Sequence, residues 1–365
     1  MPDNIRLQLL VGDRTVAAPP IEVTQAFSEL RVTTADETPS GFQLTLVTNG
    51  CSSLARSLLP SGFFDPPKRV VAAVIWRGST TVLIDGVVMR HDVRVGDGPG
   101  ALTVTLTGDD LTALMDLTAK VRDFQGQAVE QQVESICDDY RQYGINSHVH
   151  DAPERDAPNP RVRSDLQRGT DLDHVRALAS DVGYVFRLDT DRTPGRSTAY
   201  WGPPQRGGTP QPTLTTNVNG DGNVISLRFG FDGRAKTQYT VKGQLVSPAD
   251  VSTLRPPLAA RPAKALVTRP LPPTARLDSI EASLLAGSLT ADASDTVTCT
   301  GELDVRHYGT ILRSRRTVSV RGAGGSFDGS YYVRSVTHDL SLGRYRQSFE
   351  LVRDGTGPLS RRLPP

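Results

Sequence analysis

The sequence predicts a mainly β protein with an α+β insert. Residues 21–110 alternate apolar and polar side chains in short runs broken by Gly, Pro and Asp, and the end of the chain returns to this pattern, which is typical of half-buried strands. Between these regions the apolar residues follow the period of a helix. A chain of 365 residues is long enough for two or three domains, and we place them at 1–115, 116–215 and 216–365.

Five strand candidates follow one another in the first domain at the close spacing of a sandwich or barrel. They are ELRVTTAD, GFQLTLVTNG, RVVAAVIW, TTVLIDGVVMRHDVRVG and GALTVTLTGDD, beginning at residues 29, 41, 69, 80 and 100. Four more candidates end the chain: DTVTCTGELDVRH, RRTVSVRG, SYYVRSVTHDLS and YRQSFELVRD. The longest apolar run, VVAAVIW, is much shorter than the ~18 residues that span a bilayer, so no membrane insertion is predicted.

Two amphipathic helices are predicted in the middle domain. The apolar stripe of the first consists of Val129, Val133, Ile136, Cys137 and Tyr140. The stripe of the second consists of Leu172, Val175, Leu178, Ala179 and Val182. Gly144 and Gly183 follow these stripes at the position where a glycine ends a helix, and the strand YVFRL follows the second helix.

The segment SDLQRGTDLDHVRALASDVGYVFRL, residues 164–188, brings Asp171, Asp173 and His174 together at the start of the second helix. Thr170 and Asp173 fit the capping pattern, in which the Thr hydroxyl accepts the N–H of Asp173 while the carboxylate reaches back. The two acids suit the positive end of the helix dipole, but they diverge by ~160° around the axis and cannot share a proton or a metal. With His174 expected on the solvent side, we interpret the cluster as a capped helix and not as a catalytic centre.

Two stretches of the chain follow one order. DGVVMRHDVRVGDGPGALTVTLTGDD (85–110) and DGSYYVRSVTHDLSLGRYRQSFELVRDG (328–355) both begin with Asp-Gly, carry His-Asp on a strand, turn at a glycine and end in an alternating strand. The pairs His91-Asp92 and His338-Asp339 are expected at matching places. We interpret the stretches as a duplicated β unit, and the alternative is two hairpins that are alike by chance.

Residues 247–275 contain seven prolines, which remove backbone donors and block regular pairing. We expect this segment to be an exposed excursion without regular structure. Its Arg255, Arg261 and Arg269, placed between apolar residues, are suited to lying along a neighbouring protein. A short helix is predicted near 279–286.

No cofactor or metal site is predicted. Asn217, Asn219 and Asp221 resemble half of a calcium loop, but Arg228 stands where the bidentate Glu is required. The two imidazoles of HVHD at 148–151 have no third ligand nearby in the sequence. The cysteines Cys51, Cys137 and Cys299 are far apart and form no zinc or disulfide spacing.

The balanced charge and the absence of catalytic motifs also argue against several classes of function. Forty-one basic and 40 acidic residues leave a formal net charge of +1, which gives no reason to expect nucleic acid as a partner. The sequence contains no G-x-S-x-G or H-E-x-x-H motif and no phosphate-binding glycine loop. We therefore predict no enzyme. The N-terminus MPDNIRLQLLVGD lacks the order of a secretory signal, so synthesis in the cytoplasm without a signal peptide is expected.

Two segments resemble a known family. The segment at 164–188 is similar to the helix–strand signature of the late-control protein D family, the hubs of contractile phage tails, which also forms the N-terminal part of VgrG spike proteins. SFDGSYYVRSVTHDLSLGRYRQSFELVRDG resembles the closing strands of that family, and GELDVRHYGTILRSRRTVSVRGAGG fits the region before them. The resemblance covers about residues 5–355, and its motifs are structural.

This resemblance implies a homotrimer in which each chain carries two tube-type β-barrels and an intervening α+β subdomain. Such a hub joins a hexameric inner tube ring to a threefold spike and contacts baseplate wedge proteins. Because the chain ends at Pro365, we expect the spike to be a separate protein. We assign structural roles, and no catalytic, cofactor or metal role, to Thr170, Asp173, Gly183, Gly144, Asp328, Gly329, Tyr331, Tyr332, His338 and Asp339.

Two other functions stay open at this point. A cargo- or surface-binding β module would be monomeric in solution. A cell-wall carbohydrate hydrolase would need paired carboxylates that converge in a cleft, and no spacing in the sequence supports such a pair. The sequence does not separate a phage tail from an extracellular injection particle.

Overall fold

A computed structural model describes residues 5–36, 38–96, 100–152, 166–216, 220, 222–241, 244–245, 256–271 and 279–359, with the backbone alone at 244–245 and 279–281. The protein is mainly β, as predicted. Asn217, Asn219 and Asp221 of the calcium-loop comparison lie outside the described residues, as do 247–255 and 272–275 of the proline-rich segment.

The first β region contains all five predicted strands and two N-terminal strands that were not predicted. Its strands are β1 (Arg6–Gly12), β2 (Val16–Ala17), β3 (Phe27–Ala35), β4 (Gly41–Asn49), β5 (Lys68–Trp76), β6 (Ser79–Val95) and β7 (Ala101–Asp110). Short helices α1 (Ile21–Gln25) and α2 (Thr112–Met115) and a π-helical turn (Leu54–Leu58) connect them. Alternating burial along β4 and β7 shows why the period-two pattern predicted these strands.

The middle segment is α+β. It contains β8 (Ala119–Asp123), α3 (Val129–Asp138), a 3₁₀ turn (Arg141–Tyr143), β9 (Ile145–Val149), β10 (Leu166–Thr170), α4 (Asp171–Asp181), β11 (Val185–Thr190) and β12 (Ser197–Gly202). Both predicted helices are present. However, α3 ends at Asp138, and Gly144, with φ of +72°, ends the 3₁₀ turn that follows.

The last part of the chain returns to strands. They are β13 (Gln211–Thr215), β14 (Ser226–Phe231), β15 (Thr237–Val241), β16 (Gln244–Leu245), β17 (Ala259–Pro262), β18 (Val267–Pro270), β19 (Val297–Asp304), β20 (Thr317–Arg321), β21 (Gly329–Ser341), β22 (Arg344–Arg353) and β23 (Gly355–Pro358). Two helices, α5 (Ser279–Asp292) and α6 (Val305–Tyr308), lie among them.

Two expectations for this region were wrong. The proline-rich segment is not without regular structure, since β17 pairs with β23 and β18 pairs with β15. Pro262 and Pro270 are the last residues of their strands, where a missing N–H does not interrupt the ladder. The predicted helix 279–286 continues to Asp292 because it packs against β15 and α4, so tertiary packing outweighs the weak helix propensity of Gly, Ser and Thr.

Two sets of five strands in one 13-stranded sheet have the same topology. Strands pair in the order β3-β4-β7-β6-β5 in the first set, which we call unit 1, and in the order β14-β19-β22-β21-β20 in the second, unit 2. In each unit the spatial order is first, second, fifth, fourth and third along the chain, and all pairs are antiparallel. This repeat agrees with the interpretation of a duplicated β unit.

The matching of the two His-Asp pairs was wrong. Each unit has a β-bulge between its fifth and fourth strands, with Met89 as the extra residue of β6 and Arg334 as that of β21. His338 lies four residues beyond Arg334. The residue four beyond Met89 in unit 1 is Val93 and not His91. Because the side-chain period of a strand is two, this offset of two keeps the face but changes the depth along the strand.

Strand pairing leaves the large sheet open. Within the described residues, β14 at one end pairs only with β19, and β2 at the other end pairs only with β1, so these pairs form no closed barrel. One apolar core nevertheless runs through both units and includes Leu44, Val104, Val336 and Leu351. A second core fills the middle segment and reaches Leu111 of the first β region.

Candidate functional site at the junction of the two units

Strand β21 joins the two units. Its residues 329–332 pair with β20, its residues 335–341 pair with β3 of unit 1, and β22 follows its other edge. Five of the residues to which the sequence assigned structural roles lie on this strand, and a sixth, Asp328, immediately precedes it. Thr170, Asp173, Gly144 and Gly183 lie in the middle segment instead.

Arg353 holds the start of β21, where the backbone of Gly329 packs closely against it. Gly329 has φ of +130°, and a Cβ there would come within 2.9 Å of Arg353 Nη1. The Arg353 guanidinium stacks 4.4 Å from the centre of the Tyr331 ring and donates to the Asp328 carbonyl at 3.0 Å. Asp328 Oδ1 accepts the backbone N–H of Ala323 at 2.7 Å. Only glycine fits at position 329 without displacing this arginine.

Tyr332 connects unit 2 to the end of β3. Its hydroxyl donates to Asp36 Oδ2 at 2.9 Å. Arg206 stacks 4.6 Å from the centre of the Tyr332 ring and makes a buried two-pronged pair with Asp295, at 2.8 and 2.7 Å. Burial and the charge of Asp36 raise the pKa of Tyr332, so the hydroxyl stays protonated and remains a donor.

Arg315 ties three parts of the chain together. Its guanidinium donates to the carbonyl of Ala35 in unit 1 at 2.7 Å, and to Leu188 O and Asp189 Oδ1 in the middle segment at 3.1 and 2.9 Å. The backbone of Arg315 has φ of +62°, a conformation that costs about 1 kcal/mol or more for a residue with a side chain. Sequence reasoning missed this residue, because nothing in the run RSRRT signals its backbone conformation.

His338 is buried and neutral. Its side chain is 3% exposed, and its Nδ1 lies 2.7 Å from the Tyr345 hydroxyl and 3.2 Å from Gln347 Nε2. The amide of Gln347 is oriented by Leu312, whose N–H and carbonyl bind its oxygen and nitrogen, so Nδ1 must accept. Burial and the nearby charge of Arg313 lower the pKa of His338 to about 3.

Asp339, the next residue, points to the surface. Its carboxylate accepts a hydrogen bond from Arg31 Nε of β3 at 2.6 Å. The Arg31 side chain is 54% exposed. This pair therefore contributes little to stability, in the range of exposed ion pairs, although it bridges the two units.

The capping cluster of α4 has a buried and an exposed acid. Thr170 Oγ1 accepts the N–H of Asp173 at 3.1 Å, and Asp173 is exposed. Asp171 is fully buried and accepts hydrogen bonds from Lys120 at 2.5 Å, and from Tyr140 and Gln167 at 2.7 Å. Burial by itself would raise the pKa of Asp171, but these donors outweigh it and the pKa is lowered. The sequence pattern indicated the cap but not this network.

His174 is only partly exposed. It stacks on Phe124, with ring centres 5.4 Å apart, and its Nε2 lies 3.3 Å from Gln132 Oε1. Gly144 and Gly183, both with φ of +72°, lie against Gly195 and Ser288, respectively, where a Cβ would crowd the neighbour. These residues anchor the middle segment and bring no reactive groups together.

The carboxylates beside the junction are engaged in structural contacts. Asp85 is held by Arg69 through two bonds of 2.7 and 2.6 Å, and both side chains are buried. Asp110 accepts the N–H groups of Ser40 and Thr112.

Within the described ranges, no three His, Cys, Asp or Glu side chains form a group that could hold a metal ion. His148 and His150 stack edge to face at 4.9 Å beside Tyr200. No helix among the described residues has the length and apolar character needed to cross a membrane.

No family model matches the sequence, and no curated protein matches it. Solved structures do match. A tail protein from Neisseria meningitidis MC58 superposes with a TM-score of 0.65 and 14% identity over 97% of this chain and 98% of its own. The 43 kDa tail protein of prophage MuSo2 from Shewanella oneidensis gives 0.61 and 14% over 96% and 100%.

A third similar structure belongs to a secretion system. The E. coli c3393 protein, a component of the type VI secretion system with structural similarity to the T4 bacteriophage tail proteins gp27 and gp5, superposes with a TM-score of 0.52 and 15% identity over 93% of this chain and 77% of its own. The predicted resemblance to contractile tail proteins is therefore confirmed for the fold.

Proposed function

We propose that this chain is the structural hub of a contractile phage tail or a phage-like injection particle. In this role it is a homotrimer that joins a hexameric inner tube to a threefold spike, and it contacts baseplate wedge proteins. It carries no catalytic function. The tail-protein fold over nearly the whole chain supports the class of machine.

The observation that carries the adaptor role is the repeated strand order of units 1 and 2. Two like units in each of three chains give six similar surfaces, which match a sixfold ring, while the chain itself keeps threefold symmetry. In this proposal each unit is the counterpart of one tube-type β domain. The domains at 1–115 and 216–365 carry the two units, and the α+β subdomain at 116–215 lies between them in the chain.

The edges of the sheet support self-association. Within the described residues, the outer edge of β14 has no partner strand, and β1 is paired on its outer side only at Val11 and Gly12. Phe231 is the last residue of β14, and Ile225 directly precedes its first residue. Both side chains are about half exposed. Unpaired edges with apolar side chains are templates for pairing with another chain, and a head-to-tail contact between two different edges can close into a ring.

Mass measurement tests this proposal. Light scattering of the purified protein, together with image reconstruction of the assembled particle, should show three copies at the hub. Two or six copies in the particle would contradict the adaptor role. A monomer in solution that is also absent from the tube–spike joint would favour a cargo- or surface-binding β module.

A further inference from the structure

A cleft of about 310 Å³ lies where unit 1, unit 2 and the middle segment meet. Its lining combines the hydroxyl residues Thr34, Thr81 and Thr190 with four arginines: Arg187, Arg313, Arg315 and Arg316. A polar cleft with this many cations is unusual for an interior joint, so the partner of each arginine decides what the cleft can hold.

Two of these arginines have carboxylate partners in the protein itself. Arg187 and Arg315 both bind the carboxylate of Asp189, at 3.1 and 2.9 Å, and Arg315 Nε also lies 3.9 Å from Asp36 Oδ1. The other two lining acids, Asp85 and Asp110, are occupied by Arg69 and by backbone N–H groups. No acid of the lining is left for the remaining two arginines.

Arg313 is fixed in place without a counter-ion. The side chain of Gln211 binds its backbone N–H and carbonyl at 2.8 and 2.9 Å, and its guanidinium donates to Thr81 Oγ1 at 3.0 Å. Across the described part of the chain, no carboxylate lies within ion-pairing distance of Arg313 or Arg316. Burial and the charges of Arg316 and Arg192 lower the pKa of Arg313, as expected for cations that lack a nearby anion.

We propose that this cleft binds one oxyanion, a phosphate or carboxylate group, through Arg313 and Arg316. A guanidinium presents a planar fork of donors that matches both groups. Thr81 accepts from Arg313, so its hydroxyl proton is free to donate to the same ligand. The anion would supply the missing counter-charge at the point where the three parts of the chain meet.

Calorimetric titration at constant ionic strength, with chloride as the background anion, tests the site. Inorganic phosphate and succinate are the probes, and we expect saturable binding of at least one of them at one site per chain. Binding of phosphate alone identifies a phosphate group as the ligand class, binding of succinate alone identifies a carboxylate, and binding of both identifies a general oxyanion site. Absence of saturable binding for both probes overturns the proposal.

Variants show whether the binding is at this cleft. Arg313→Gln should weaken affinity about tenfold or more, the effect of losing a charge-assisted hydrogen bond. Arg316→Gln should weaken it in the same direction, and since Arg316 is exposed this variant keeps the test valid if Arg313→Gln does not fold. Arg344→Gln, at an exposed arginine on the β21–β22 turn, is the matched control and should bind normally. Unchanged affinity in Arg316→Gln and in any folded Arg313→Gln would place the anion elsewhere and refute the assignment.

Discussion

The Tyr332 hydroxyl donates a hydrogen bond of 2.9 Å to the carboxylate of Asp36, which lies 296 residues earlier in the chain. Tyr332→Phe should lower the free energy of unfolding by about 1–3 kcal/mol, because a partly buried carboxylate loses its donor. Denaturant unfolding measures this change. Arg31→Ala, which removes the exposed pair with Asp339, is the control at the same joint and should cost about 1 kcal/mol or less. An equal loss of unfolding free energy in the two variants would mean that the buried hydrogen bond stabilises the protein no more than the exposed ion pair does.

The two acids at the start of α4 should differ in their effect. Asp171→Asn removes the charge that Lys120 pairs with and should lower stability by about 1–3 kcal/mol. Asp173→Ala removes only a capping interaction, which costs roughly 0.5–2 kcal/mol, and assembled particles should remain functional. Loss of function in Asp173→Ala with an unchanged melting temperature and normal assembly would contradict the structural role.

Asp171 also predicts a direction of pH dependence. Its pKa is below the ordinary value of 3.8, so the unfolded chain takes up this proton first as the pH falls. The stabilisation from Asp171 is therefore complete above that ordinary value and is lost as the pH falls through the lower folded-state pKa. In Asp171→Asn this acid-limb contribution should disappear.

His338 gives a second pH dependence at higher pH. Its pKa of about 3 in the fold lies below the ordinary 6.5, so between these values the unfolded state binds more protons and stability falls as the pH falls. Between pH 7.5 and 4.5 the wild type should lose on the order of 2 kcal/mol from this group, and His338→Gln should not.

The control for His338 is Tyr345→Phe. This variant removes a donor to Nδ1 but leaves the imidazole buried, so the pH dependence should persist although the overall stability is lower. Urea unfolding at several pH values measures both slopes. A wild-type slope retained in His338→Gln would assign the pH dependence to other groups.

The sequence predicted all five strands of unit 1 and four of the five strands of unit 2, but not β14. Strands such as β4 and β7 bury one face, which appears in the sequence as local alternation of apolar and polar residues. The sequence did not predict β1, whose side chains are mostly half-buried on both faces. Nor did it predict that β21 pairs with β3, since pairing across about 300 residues leaves no local pattern.

The candidate site also contains contacts that are visible in the sequence and contacts that only the fold creates. The Thr170 cap is a contact between neighbours in the chain and was visible in the sequence. The burial of Asp171 depends on Lys120, which the fold brings from β8. The strain at Arg315 depends on carbonyl groups of β3 and β11. Such residues could be found only after the topology was known.

Asp354 fixes the described part of the proline-rich segment. Its Oδ1 accepts the N–H groups of Leu258 and Ala259 at 2.8 and 3.0 Å, at the point where β17 begins its pairing with β23. The connection between β17 and β18 contains Lys264, which is exposed. Arg255, Arg261 and Arg269 each precede a proline, a bond that trypsin does not cleave, so Lys264 is the informative trypsin site.

Because strands on both sides hold this connection, trypsin should cut slowly at Lys264 in the isolated protein, since cleavage requires local unfolding of the flanking chain. Asp354→Ala removes two hydrogen bonds from β17 and should accelerate cleavage at Lys264 several-fold, measured by mass spectrometry of the fragments. Ser341→Ala on β21, away from this segment, should leave the rate unchanged. Fast cleavage at Lys264 in the wild type would show that β17 opens readily on its own and that Asp354 does not hold it. The same rate in wild type and Asp354→Ala, with slow cleavage in both, would instead mean that the β17–β23 ladder alone keeps the segment closed.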